Sequence, residues 1–131
     1  MNRASYVLSV AFPEGGWDDA DALRAALWAD ASSAAIFTAA EAAVAALPGL
    51  VIGQRKSFTA FSREYQFAAL KPLKGGQAVL GLAVDVAADP RLAAPRNESW
   101  SERLRSKTVL ESPEAVDAGL SALLRQAWER S

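Results

Sequence analysis

Hydrophobic positions change period once along this chain. From 18 to 47 they recur every three or four residues, and from 50 to 86 they alternate. The first regime predicts helices over 18–30 and 33–47. Asp18 is a suitable N-cap, Asp19 and Asp21 favour the positive end of the helix dipole, and Ala20, Leu23 and Leu27 form a stripe flanked by Trp28. Asp30-Ala31-Ser32-Ser33 reads as a break, with Ser33 capping the second helix. On that helix Ile36, Phe37, Ala40, Val44 and Leu47 share a face, and Pro48-Gly49 stops it. One bent helix over 18–47 is the alternative.

The alternating regime, 50–86, is the centre of the chain. It predicts strands near 51–56, 57–62, 65–70 and 78–86, with Lys74-Gly75-Gly76-Gln77 as a hairpin turn. In unbroken strands Phe58 and Phe61 face opposite sides, while Tyr65 and Phe67 share one. A further strand is expected near 105–110. Ser112-Pro113-Glu114 then starts a helix over 113–129, with Val116, Leu120, Leu123, Leu124 and Ala127 on its apolar face. Weak alternation over 6–12 suggests an edge strand or an extended arm. The whole reads as one α+β domain over 1–131. Its antiparallel sheet has four to five strands, a meander over 50–86 plus the strand near 105–110, and the helices pack on one face.

Composition refines this picture. The 131 residues are 51% hydrophobic and 22% charged, which suits one globular domain with a substantial core. Much of the apolar count is alanine, so the core load falls on Leu, Val, Ile, Phe and Trp. There is no cysteine and no histidine. That excludes disulfides, the usual structural zinc sites, thiol chemistry and a histidine base. No stretch is apolar and long enough to span a bilayer, and 1–16 lacks the long apolar core of a signal peptide. The expectation is a cytoplasmic protein with no membrane partner.

Net charge is −1, but it is unevenly spread. Residues 1–47 carry −4, 48–84 carry +4 (Arg55, Lys56, Arg63, Lys71 and Lys74 against Glu64), and 85–131 carry −1. A sheet face holding Lys56, Arg63 and Lys71, joined by Arg91 or Arg96 from the following loop, would suit a phosphate or carboxylate. Tyr65 and Trp100 would stack on such a ligand. Nucleic acid is disfavoured, because the aromatics of the central stretch do not line up on one face and lack the spacing of an RNA-binding sheet.

Other chemistry finds little support. Glu64, Asp85 and Asp89 would have to converge to bind a metal or act as acid and base, and Asp89-Pro90 is an ordinary turn. Ser57 and Lys56 are adjacent, so alternation points them apart, and no G-x-S-x-G is present. The glycines at 75 and 76 lack the remainder of a phosphate loop. No catalytic residue, metal or cofactor is assigned. Trp100 and Trp128 could line a pocket or a dimer seam.

Several motifs follow one another in a familiar order. They are Lys56-Ser57-Phe58-Thr59-Ala60-Phe61, Phe67-Ala68, the apolar strand, Asp89-Pro90-Arg91-Leu92, and a Ser-Pro-Glu helix ending Leu124-Arg125-Gln126-Ala127-Trp128. Over residues 36–130 this resembles a bacterial family called domain of unknown function 5655, sometimes labelled a predicted transport protein domain. The resemblance implies a small intracellular α+β domain and brings no activity, ligand or site residue. The first functional expectation is therefore a non-enzymatic module that binds an anionic small molecule or acidic peptide through Lys56, Arg63, Tyr65, Lys71, Arg91 and Trp100. The second is a homo-oligomeric interaction domain, and the third an enzyme using carboxylate or lysine chemistry.

Overall fold

The computed structural model describes residues 17–96 and 98–131. The stretch 6–12 lies outside the described residues. Helix α1 spans Trp17–Leu27 and α2 Ala31–Val44. Five strands follow: β1 Val51–Gln54, β2 Thr59–Ser62, β3 Gln66–Pro72, β4 Ala78–Leu82 and β5 Ser106–Leu110. Helix α3, Ala118–Glu129, closes the chain. The strands form one antiparallel meander in the order β1-β2-β3-β4-β5. The fold is thus α+β, with a five-stranded open sheet.

Local signals set the helix boundaries, with corrections: α1 ends at Leu27 and not 30, α2 ends at Val44 and not 47, ahead of Pro48-Gly49, and the starts of α2 and α3 differ. The cap of α2 is Asp30, which accepts from Ser33 N–H at 3.0 Å, and Ser33 is the residue being capped. The helix therefore starts at 31 and not 33. Ser112-Pro113-Glu114 makes only one 3-10 turn over Pro113–Ala115, because Val116 leaves the helical region at φ −83, ψ 73. Asp117 then caps α3, accepting from Leu120 N–H at 2.8 Å, so the helix begins at 118 and not 113. The Lys74 to Gln77 turn is as expected: Gly75 and Gly76 take positive φ, and Leu73 N–H donates to Gln77 O at 2.8 Å.

The inner face of the sheet carries the main core. Phe61, Leu70, Leu80, Leu82 and Leu110 meet Ile36, Phe37 and Val44 of α2 and Leu120 and Leu124 of α3. A polar thread crosses this core without an orphaned group. Trp28 Nε1 donates to Thr59 Oγ1 at 3.0 Å, and Thr59 Oγ1 donates to Gln54 Oε1 at 2.7 Å. A bulge interrupts pairing between Phe61 and Ser62, where Ser62 pairs with Gln66 and Phe61 with Ala68. The extra residue, Phe67, is fully buried in the inner core, while Tyr65 is 49% exposed. The bulge thus separates Tyr65 from Phe67, which unbroken alternation would have kept together. Phe58 and Phe61 do fall on opposite faces.

The outer face is built differently. The register lines up Gly53, Ala60, Ala69 and Gly81 across four strands, giving a row of small residues. A strap formed by residues 92–96 and 98–105 lies on that row. It is anchored by an Ala93–Lys107 bridge and by Leu104, which packs with Phe58, Ala60 and Ala69. The Trp100 ring sits directly on Gly81, where a Cβ would approach it to 2.6 Å. No helix among the described residues is long and apolar enough to cross a membrane.

Candidate anion-binding site

At one end of the sheet four segments converge: the β2–β3 turn, the residue after β4, the entry to β5 and the end of α3. They bring Tyr65, Gln66, Ala83, Arg103, Arg105 and Arg130 around a cleft of about 340 Å³, with Ser131 at its rim. Three of these side chains are cationic and none is anionic.

Each arginine is placed by its neighbours. Leu104, at the end of a turn closed by its N–H donating to Ser101 O at 3.1 Å, is buried against the sheet, while its neighbours Arg103 and Arg105 stay exposed. The Arg103 guanidinium carbon lies 3.7 Å from the Tyr65 ring centroid, a stacked cation–π pair. Arg105 Nη2 is 3.1 Å from Asp85 Oδ2. Asp85 also accepts from Ala87 N–H at 2.9 Å. That backbone bond is the main cause holding its carboxyl below the ordinary value. Slight burial opposes it, and Arg105 and Arg130 reinforce it. Arg103 and Arg130 pair with no carboxylate among the described residues.

The end of α3, which carries Arg130, is tied down from the other side. Trp128 Nε1 donates to Pro48 O at 2.9 Å. The Arg63 guanidinium lies 4.5 Å from the Trp128 ring and donates to Ser131 O at 2.9 Å. Arg63 therefore secures the wall of the cleft without lining it.

The six residues expected to form a site do not come together. Lys56 is exposed in the β1–β2 turn. Arg63 is docked on Trp128. Arg91 bridges Asp89 and Asp117, 3.1 Å from each, and these contacts raise its pKa, the hydrogen bond to Asp117 most of all. Lys71 and Trp100 do meet, on the outer face. Lys71 Nζ is 5.6 Å from the Trp100 ring and donates to Glu98 O at 2.6 Å. Only Tyr65 lines the arginine cleft. The shared face of Lys56, Arg63 and Lys71 fails to form because Lys56 and Arg63 sit in turns, whereas Lys71 is held in register opposite Val79.

A second concavity of about 350 Å³ lies on the outer face, between Lys71, Val79, Glu98, Lys107 and Val109. Its size matches the first, and Arg96 lines it too, but unlike the first it holds a carboxylate, that of Glu98. Lys107 Nζ and Glu98 Oε2 are 2.5 Å apart, with side chains only 22% and 12% exposed. Burial disfavours the charged form of Glu98, yet hydrogen bonds from Lys107 and Arg96 N–H outweigh it and hold the carboxyl below its usual range. This trio clamps the strap to the sheet.

Sequence reasoning missed Arg103, Arg105 and Arg130. An apolar residue between two charged ones, Arg103-Leu104-Arg105, was a usable signal that one side chain is buried and its neighbours lie outside. Arg130 carries no such signal. As for other chemistry, Asp85 and Asp89 each engage a different arginine, and no group of three or more carboxylate, Cys or His side chains that could hold a metal occurs among the described residues.

The family model described as "Domain of unknown function (DUF5655)" matches residues 25–131, beginning ahead of position 36, where the motif resemblance starts. No curated protein and no solved structure matches the chain.

Proposed function

The chain belongs to this family of domains, and on that premise we propose that it is a non-enzymatic module binding an anionic small molecule in the arginine cleft. One observation carries the reading. Arg103, Arg105 and Arg130 share one concavity, and only Arg105 has a carboxylate partner among the described residues. Guanidinium groups held without a counter-ion keep their donors available to carboxylate or phosphate oxygens. The Tyr65 stack fixes the Arg103 plane and lowers the entropy cost of binding. The setting we propose is the bacterial cytoplasm, which the family resemblance and the absence of cysteine support.

The test is thermal shift and calorimetry at low ionic strength with phosphate, pyrophosphate, citrate and succinate. At least one should stabilise the protein. The effect should fall with salt and vanish in Arg103→Ala and Arg130→Ala, while Lys56→Ala leaves it intact. Failure of every anion to stabilise the protein would overturn the reading. Self-association is a second reading, supported by the exposure of Val109 (46%) and Leu73 (36%) beside the outer concavity. A monomer by light scattering at high concentration would remove it.

A further inference from the structure

We infer that the ligand of the arginine cleft is a free nucleoside monophosphate, with its base stacked at the Tyr65–Arg103 pair and its phosphate among the arginines. This inference rests on the anion-binding reading above and narrows it to one chemical class.

Two features of the cleft point to that class. The first concerns the anion. Its three cationic donors arrive from two parts of the fold: Arg103 and Arg105 from the end of the strap, and Arg130 from just beyond α3. A planar carboxylate offers two oxygens in one plane and is saturated by one or two guanidinium forks. A phosphate monoester offers three terminal oxygens in three directions and about −1.5 to −2 charge at neutral pH. Three guanidinium groups facing one cleft from two sides offer more donors than one carboxylate takes and suit the second shape. The main-chain oxygen of Ser131 at the rim is bonded to Arg63. Asp85 shares Arg105, and an incoming phosphate would compete with it there.

The second feature concerns the rest of the ligand. Phosphate alone would need no aromatic group, yet Tyr65 stands half exposed at this site. Its ring already carries the Arg103 guanidinium, whose central carbon lies 3.7 Å from the ring centroid. A stacked guanidinium keeps its in-plane N–H edge available, and its flat surface, like that of tyrosine, stacks well on a purine or pyrimidine. Gln66 adds an amide, both donor and acceptor, to the lining, which suits a base edge or a ribose hydroxyl. The volume, about 340 Å³, lies at the small end of ligand pockets and fits a mononucleotide better than a dinucleotide.

Calorimetry with AMP, ribose 5-phosphate, adenosine, inorganic phosphate and succinate tests this. AMP should bind at least about tenfold tighter than ribose 5-phosphate, with adenosine weaker than both. Tyr65→Leu should weaken AMP by a larger factor than ribose 5-phosphate, so that most of the advantage of AMP is lost. Arg130→Ala should weaken both phosphates together and leave the ratio intact. Equal binding of AMP and ribose 5-phosphate, or tighter binding of succinate, would overturn the nucleotide assignment and leave the anion site standing. If none of the anions binds, the anion site itself fails. A 5′-phosphorylated oligonucleotide that binds more tightly than AMP would overturn the free-nucleotide assignment and place the recognised phosphate on a strand end.

Discussion

The two faces of the sheet are covered by different physical means. Helices α2 and α3 cover the inner face with large apolar side chains, and the residues beneath them, Phe61, Leu70, Leu80 and Leu82, are fully buried. An irregular strap covers the outer face. It rests on a row of glycine and alanine and is held by one tryptophan, one leucine and Glu98, whose carboxylate pairs with Lys107 and whose main-chain oxygen accepts from Lys71. The inner cover is stable because of area removed from water, which no single residue dominates. The outer cover depends on a few specific contacts, so single substitutions should release it while the core persists. The arginine cleft lies where the two covers meet, with Arg103 and Arg105 from the strap side and Arg130 from the helix side.

The largest effect should come from Phe61→Ala, which opens a cavity under the helices. It should cost about 3–5 kcal/mol and lower the whole denaturation curve, with strap and core melting together. A loss under about 1 kcal/mol would contradict the primacy of the inner core. Gly81→Val comes next. Its Cβ would meet Trp100 at 2.6 Å, so the ring must leave its seat. The expected cost is about 2–3 kcal/mol, with a red-shifted tryptophan emission and faster hydrogen exchange confined to the strap. Exchange rising equally in α2 would mean the two covers are not separable.

Glu98→Gln should cost about 1–2 kcal/mol by removing the ion pair with Lys107, while the bond from Lys71 to the main-chain oxygen of residue 98 stays. It also carries a pH signature. The folded Glu98 carboxyl titrates below its ordinary value. Its contribution is therefore complete above the unfolded carboxylate pKa and is lost as pH falls through the folded one. Strap exchange should rise in acid for the native protein, and that rise should flatten in Glu98→Gln. Arg63→Ala is the smallest, about 0.5–1 kcal/mol from the Trp128 contact. It should nevertheless weaken anion binding, because the end of α3 that carries Arg130 loses its tie. Unchanged affinity would show that Arg130 is placed without it.

Much of the inner face could be read from the chain. The stripe Ile36, Phe37, Ala40 and Val44 and the stripe Leu120, Leu123, Leu124 and Ala127 are buried as their spacing implies. Boundaries were less legible wherever two caps competed. Asp30 outcompeted Ser33, and Asp117 outcompeted Ser112, because each of the aspartates reaches the amide three residues on. The outer face was less legible still. Gly53, Ala60, Ala69 and Gly81 are far apart in sequence and become a row only through register. Glu98, in a loop, gave no sign that Lys71 and Lys107 would both reach it.

Composition and periodicity alone determine the α+β class, the order of elements, the hairpin at Gly75 and Gly76, and the absence of histidine and cysteine chemistry. These follow from local spacing and side-chain inventory, which any chain carries without folding. Only the tertiary structure decided where the charges go. Five bases clustered over 48–84 suggested a site there, yet the fold leaves Lys56 in a turn and commits Lys71 to Glu98 and Arg63 to Trp128. The cleft is assembled instead from arginines near the end of the chain. Charged side chains are long and flexible, and their partners are chosen by register, by one bulge and by a strap crossing the sheet. Those are long-range relations that no window of sequence contains.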